Sequence, residues 1–169
     1  KNDVKLESAG GTIGLAAIGV SVAIAEDFTT TNAFISNDVE ITANNAEITA
    51  NSEDKHDLQV WAAAGGISGG GGSQANVNSQ KTTNAYVLKD TDITTTGNLK
   101  INATSLSDLD LFAGSASLVG VSVGETLSDA TNIGSTKINI GENVVFKTGG
   151  NATISTNTDE KTESEAWAA

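Results

Sequence analysis

The chain repeats itself. Thr31-Asn32-Ala33-Phe34-Ile35 returns as Thr83-Asn84-Ala85-Tyr86-Val87, 52 residues on, and in weaker form as Thr131-Asn132-Ile133. Ile48-Thr49-Ala50 returns as Ile101-Asn102-Ala103 and as Ile154-Ser155-Thr156, at a spacing of 53 each time. Val60-Trp61-Ala62, Leu111-Phe112-Ala113 and Ala166-Trp167-Ala168 form a third series. Three markers that keep their order at one period describe stacked copies of a single supersecondary unit, each burying its apolar face against the next. The copies run over about 9–60, 61–111 and 112–166, and together make one solenoid segment across 1–169. Lys1 in place of Met, and ends that carry no distinct polar cap, read as a segment excised from a longer array. Such a stack suits a rod or a display surface better than a pocket.

Within a copy the signals are those of strands. Ile18, Val20, Val22 and Ile24 alternate with Gly19, Ser21, Ala23 and Ala25, a period of two. The small face is expected to pack closely on another layer. In the second copy Gly69-Gly70-Gly71-Gly72 replaces the apolar residues, and the entropy of glycine marks this as the loosest part of the chain. Short strands follow at Val39–Ala43 and Ala46–Ala50, with counterparts near Ile93, Ile101, Ile138 and Ile154. Asn44-Asn45, Thr96-Gly97-Asn98 and Gly149-Gly150-Asn151 separate them and supply corners, because Asn and Gly tolerate left-handed backbone. No segment holds a helical i, i+3, i+4, i+7 pattern. The expected fold is all-β, a parallel β-solenoid with a sequence repeat of about 50 residues. At about 18 to 25 residues per turn, each repeat would supply two or three turns. An antiparallel β-sandwich would read alike locally but has no need of the long period.

Composition removes several functions. The net charge is −12, and the cations are nine Lys with no Arg, a poor kit for neutralising phosphates, so nucleic acid is not an expected partner. The acidic balance keeps a long exposed surface soluble. The chain has no Cys, which excludes a disulfide scaffold, a thiolate metal site and a cysteine nucleophile. It also fits a chain kept unfolded while it crosses a bacterial envelope. Thr12–Ala25 is apolar but shorter than the roughly 20 residues of a spanning helix, and no basic region precedes it, so no membrane insertion by this segment is expected. Disorder is disfavoured, since 38% of the residues are hydrophobic and they alternate.

Few residues point to chemistry. His56 is the single histidine, in Ser52-Glu53-Asp54-Lys55-His56-Asp57, and reads as a solvated corner residue rather than a base or ligand. Glu26-Asp27, Glu53-Asp54, Asp90 with Asp92, Asp108 with Asp110, and Asp159-Glu160 are acidic clusters of the kind that can hold calcium. No calcium-loop motif accompanies them, and they read as surface acids. Polysaccharide lyases of β-helical form pair carboxylates with a strong base, commonly Arg, which this chain lacks. No catalytic residue, metal ligand or cofactor is therefore assigned, and the chain is read as non-enzymatic. Trp61, Phe112 and Trp167 recur at one repeat position, and Tyr86 aligns with Phe34. They read first as internal or rim packing. Trp61, Tyr86 and Trp167 are also the residues best suited to stack on a sugar ring or other ligand.

Gly97-Asn98-Leu99-Lys100-Ile101-Asn102-Ala103-Thr104 and Gly150-Asn151-Ala152-Thr153-Ile154-Ser155 resemble the G-N-L-x-I-x-A turns of filamentous-haemagglutinin-type exoproteins. The longer unit, a Gly/Ala/Val-rich strand followed by Thr-Asn-Ala-Tyr/Phe-Ile/Val, is similar to repeats of the large leukotoxin and adhesin exoproteins of anaerobic Gram-negative bacteria. The resemblance runs from about Ala9 to Ala169, and the glycine run departs from it. It implies a right-handed parallel β-helix, export by a two-partner or autotransporter route, and a secreted or cell-surface location. The expected role is non-catalytic: a structural or display segment of an adhesin or leukotoxin. Its partners would be neighbouring repeats and, through the parent protein, a host-cell receptor or glycan. The alternatives are a carbohydrate-binding β-helix module and a polysaccharide-degrading β-helix enzyme.

Overall fold

Parallel pairing at a constant stagger organises the whole chain. The computed structural model describes residues 1–169, the side chain of Val119 excepted. Strand β1 (Asn2–Ile35) pairs with β3 (Ala46–Val87) from Asn2↔Asp54 to Ile35↔Val87, a stagger of 52 residues. The far side of β3 pairs with β5 (Leu99–Ser122) and then β6 (Glu125–Ile140), and β5 pairs with β8 (Ala152–Ala168), each at a stagger of 53. Three short strands, β2 (Glu40–Ala43), β4 (Asp92–Thr95) and β7 (Val145–Thr148), form a second parallel sheet. The protein is an all-β parallel solenoid.

The stagger equals the sequence period, so one coil consumes a whole repeat. This corrects the expectation of two or three turns per repeat. The turn is long because the strand runs out, bends and comes back as a second layer. Ser8 Oγ lies 2.6 Å from Ser21 Oγ, Asn2 Nδ2 donates to Asp27 Oδ2 at 3.0 Å, and Lys81 Nζ lies 3.0 Å from Asp54 Oδ2. These pairs are centred between Gly14 and Leu15 in the first coil and between Ile67 and Ser68 in the second. The register also corrects one marker: Thr83–Val87 faces Thr136–Ile140, whereas Thr131 pairs with Asn78.

The ladder skips the bend residues, passing from Gly14↔Gly66 to Ala16↔Ser68. One skipped residue inverts the in-out alternation, as a bulge does. Before the bend β3 buries even positions such as Ile48, Leu58 and Val60; after it, odd positions such as Ala75, Val77 and Val87. The inversion decides which face of β1 is covered. Ala17, Ser21, Ala23 and Ala25 pack inward, as their size suggests, while Ile18, Val20, Val22 and Ile24 face outward and are exposed. The glycine run lies in extended rungs, and none of its members has a positive φ. A Cβ at Gly69 would overlap the Ala17 carbonyl oxygen, and one at Gly70 the Val123 carbonyl oxygen. Glycine is needed there for close backbone approach.

At the opposite end the corners stack. Asp38, Asp90 and Asn143 hold φ of 56°, 56° and 55° at equivalent positions, where Asp and Asn accept left-handed backbone. The Asn/Gly corners expected from sequence are present too: Asn45 Oδ1 accepts from the Asn98 amide at 2.8 Å, and Asn98 Oδ1 from the Asn151 amide at 2.9 Å. Between the two rows of corners the short strands add a third wall. Ile93 from that wall packs with Ile48, Val87, Leu99 and Ile101 in a wide apolar cluster. Further along, the two layers alone enclose Leu58, Val60, Val77, Leu109 and Leu111 with Ala23, Ala25 and Ala75.

Candidate functional site

Trp61 stands on the outer face of the layer that precedes the bend. Its ladder partner is Gly114, not Phe112, and Gly114 in turn pairs with Trp167. Trp61 and Trp167 therefore share one column with a glycine between them. The Trp61 and Phe112 rings meet diagonally, with centroids 4.7 Å apart and planes tilted by 37°. A Cβ on Gly114 would come within 2.8 Å of Trp61 and 2.7 Å of Phe112, so the missing side chain is what lets the rings lie down over the strand. Trp61 remains 46% exposed, which corrects the reading of an internal stack. Beside it Glu7, Ser8, Ala9 and Gln59 border an open groove of about 390 Å³. A tilted aromatic pair with a carboxylate and an amide at its margin can stack on an apolar ring face and hydrogen-bond its rim. Tyr86 is half-buried in the returning layer, paired with exposed Phe34, and does not join this group.

His56 is buried, not solvated. The alternation that carries Ile48 and Ala50 inward continues unbroken through Ser52, Asp54, His56 and Leu58. His56 Nε2 lies 3.2 Å from Asp27 Oδ2 and, when protonated, donates to it; Nδ1 has no partner. Thr29 Oγ1 donates to Asp27 Oδ1 at 2.6 Å, and Asn2 Nδ2 donates to Oδ2. Burial pushes the Asp27 carboxyl up, but the hydrogen bonds from Thr29, Asn2 and His56 outweigh it and hold the group below its ordinary value. One step further in, Lys81 Nζ meets Asp54 Oδ2 at 3.0 Å and donates to the Leu106 carbonyl at 2.7 Å. The Lys81–Asp54 contact is a charge contact rather than an aligned hydrogen bond. Asp27 and Asp54, read from sequence as surface acids, thus belong to a polar belt between the two apolar clusters. The belt was legible in principle: parity counted from Ile48 places Asp54 and His56 inward.

The outward acids belong to ladders. Asp3, Lys55, Asp108 and Lys161 share one column and alternate in sign, with Lys55–Asp108 and Lys161–Asp108 contacts of 3.9 Å each. Lys100 donates to Glu47 at 2.9 Å across the same layer, and that hydrogen bond first, then one from Thr49, holds Glu47 below its usual value. Among the described residues no three His, Cys, Asp or Glu side chains are grouped to hold a metal ion. The belt's two acids, one lysine and one histidine are buried, while Asp54 also borders an open groove of about 300 Å³ with Glu53, Lys55, Asp108, Asp159 and Lys161; the aromatic pair is a second accessible constellation. No family model, curated protein or solved structure matches the chain.

Proposed function

We propose that this chain is a non-catalytic display segment of a secreted or surface-anchored bacterial adhesin or leukotoxin and contributes to host-cell contact. The observation that carries this reading is the unbroken stagger of 52–53 residues over successive coils, with apolar columns inside and a variable outer face. A stack of that kind holds its outer side chains at fixed rung spacing along one axis and spends its burial on the axis rather than on a pocket. Beads coated with the protein should be retained on cultured host cells above beads coated with serum albumin. Equal retention rejects the contact role.

A second reading has its own support. Trp61, half-exposed and tilted against Phe112 over Gly114, forms a platform suited to a glycan ring. On a glycan array the protein should then bind a defined set of sugars and lose them on Trp61→Ala. Binding untouched by that substitution places the contact elsewhere.

A further inference from the structure

One column on the outer face of the layer before the bend is left uncompensated. Asp57 pairs with Asp110 and Asp110 with Glu163, so three acids stack at rung spacing, about 4.8 Å. Like charges set directly opposite weaken a sheet. The neighbouring column shows that the chain can avoid this, since Asp3, Lys55, Asp108 and Lys161 alternate in sign. Lys5 heads the acid column but turns to Glu7 at 2.9 Å, and Lys161 reaches its lowest member, Glu163, at 2.9 Å. Among the described residues, no lysine forms an ion pair with Asp57 or Asp110. The aromatic residues stand beside these acids. Phe112 lies two residues along the strand from Asp110, about 7 Å away, in a column that ends in Glu7 above and Glu165 below. Trp61 and Trp167 occupy the next column and are each about half-exposed. An exposed aromatic strip and a poorly neutralised acid column therefore run side by side along the solenoid axis.

We infer that this strip and column together bind a cationic glycan, an amino-sugar chain with free ammonium groups, in preference to neutral or acidic sugars. The inference rests on the glycan-platform reading and names the ligand class of that site. The open groove beside Trp61, bordered by Glu7 and Gln59, gives a pyranose face room to pack on the tilted Trp61–Phe112 pair. Ring substituents then extend over Asp57 and Asp110, one column away from Phe112. Protonated amines there meet the acids that no lysine meets, and an ammonium close to the Trp61 face gains a cation–π contribution as well. A neutral sugar draws nothing from the acid column. A uronate or sialate is repelled by it and by a body at −12. The acids recur on successive rungs, so successive amines of one chain meet successive carboxylates, and affinity rises with chain length.

Titration calorimetry at mildly acidic pH with glucosamine, N-acetylglucosamine and glucuronate oligomers of equal length tests it. The glucosamine oligomer should bind, the N-acetylated one about tenfold more weakly or worse, and the glucuronate one not at all, with affinity falling as salt is added. Asp57→Asn with Asp110→Asn alters outward side chains and relieves a like-charge contact. The melting midpoint should therefore hold or rise while glucosamine binding falls about tenfold or more. Trp61→Ala should abolish that binding. Equal binding of the amino and N-acetyl oligomers, or glucosamine binding unaltered in the acid variant, overturns the inference and leaves the glycan platform standing. An oligolysine bound as tightly as the amino sugar, with Trp61→Ala without effect, reduces the site to charge alone and overturns it too. No binding by any of the sugars rejects platform and inference together.

Discussion

Asp27, Asp54, His56 and Lys81 occupy interior positions that their neighbours fill with Leu and Val. Removing four polar groups from water costs more than most ion pairs return, so their contribution is better sought in alignment than in net stability. His56 ties the second coil to Asp27 of the first, and Lys81 ties both layers at Asp54 and reaches the Leu106 carbonyl of the third. A slip of one residue between rungs would turn each of these groups to solvent and leave its partner alone in the core. The Asp27 carboxyl carries a pH dependence with a definite sign. Its folded-state value lies below the ordinary one, so the stabilisation is fully present above the ordinary carboxylate value and is lost as pH falls through the depressed one. Thermal melts from neutral pH downward should fall steeply below about pH 4 in the wild type. Asp27→Asn should start lower and fall less over that interval; parallel curves would remove Asp27 from the acid response.

At the scale of the strand, sequence and structure agree on what alternation and corner chemistry can report. Period-two patterning identified the first two short strands but not the third, expected near Ile138 and found at Val145–Thr148; Asn44-Asn45 and Gly97-Asn98 identified one row of corners, and the recurrence of Ile48, Ile101 and Ile154 anticipated the actual register. The left-handed corners at Asp38, Asp90 and Asn143 escaped, because a lone Asp in a charged loop carries no signal as strong as Asn-Gly. The length of the turn escaped because nothing local distinguishes a strand that continues from one that bends back. The parity change left a mark in the first coil, where Ile13 and Leu15 stand at odd positions and Ile18, Val20, Val22 and Ile24 at even ones; in the second coil the glycine run after Ile67 erases it. Glycine positions in that stretch can be separated by experiment. A Cβ at Gly70 would overlap the Val123 carbonyl, whereas one at Gly72 meets the Glu125 carbonyl at 3.4 Å, an ordinary contact. Gly70→Ala should therefore cost about 1–3 kcal/mol through overpacking. Gly72→Ala should be neutral or stabilise by up to about 1 kcal/mol by restricting the unfolded chain. Matching denaturation midpoints for the two variants would refute the close approach at Gly70.

Over the whole molecule, stability is a sum of rung-on-rung terms, and those terms are unequal. The inward side chains of β3 and of Leu99–Ala113 are enclosed by a coil above and a coil below, and the residues at or near zero exposure fall almost entirely there. Strand β8 has a neighbour on one side only, and its inward positions remain open. The alternating column Asp3–Lys55–Asp108–Lys161 does not level the difference, because its members are exposed and surface pairs contribute at most about 1 kcal/mol. A one-dimensional stack with unequal interfaces opens from its weakest rung, not all at once. Amide exchange should therefore show a gradient. The β3 and Leu99–Ala113 amides should exchange only with global opening and follow the denaturant dependence of unfolding, while those of Ala152–Ala168 exchange faster through local release. The apolar column at Ile48, Ile101 and Ile154 places a monitor of each rung at one lateral position, so the three can be compared without differences in strand or corner chemistry. Slower exchange at Ile154 than at Ile101 would be incompatible with stability built rung by rung.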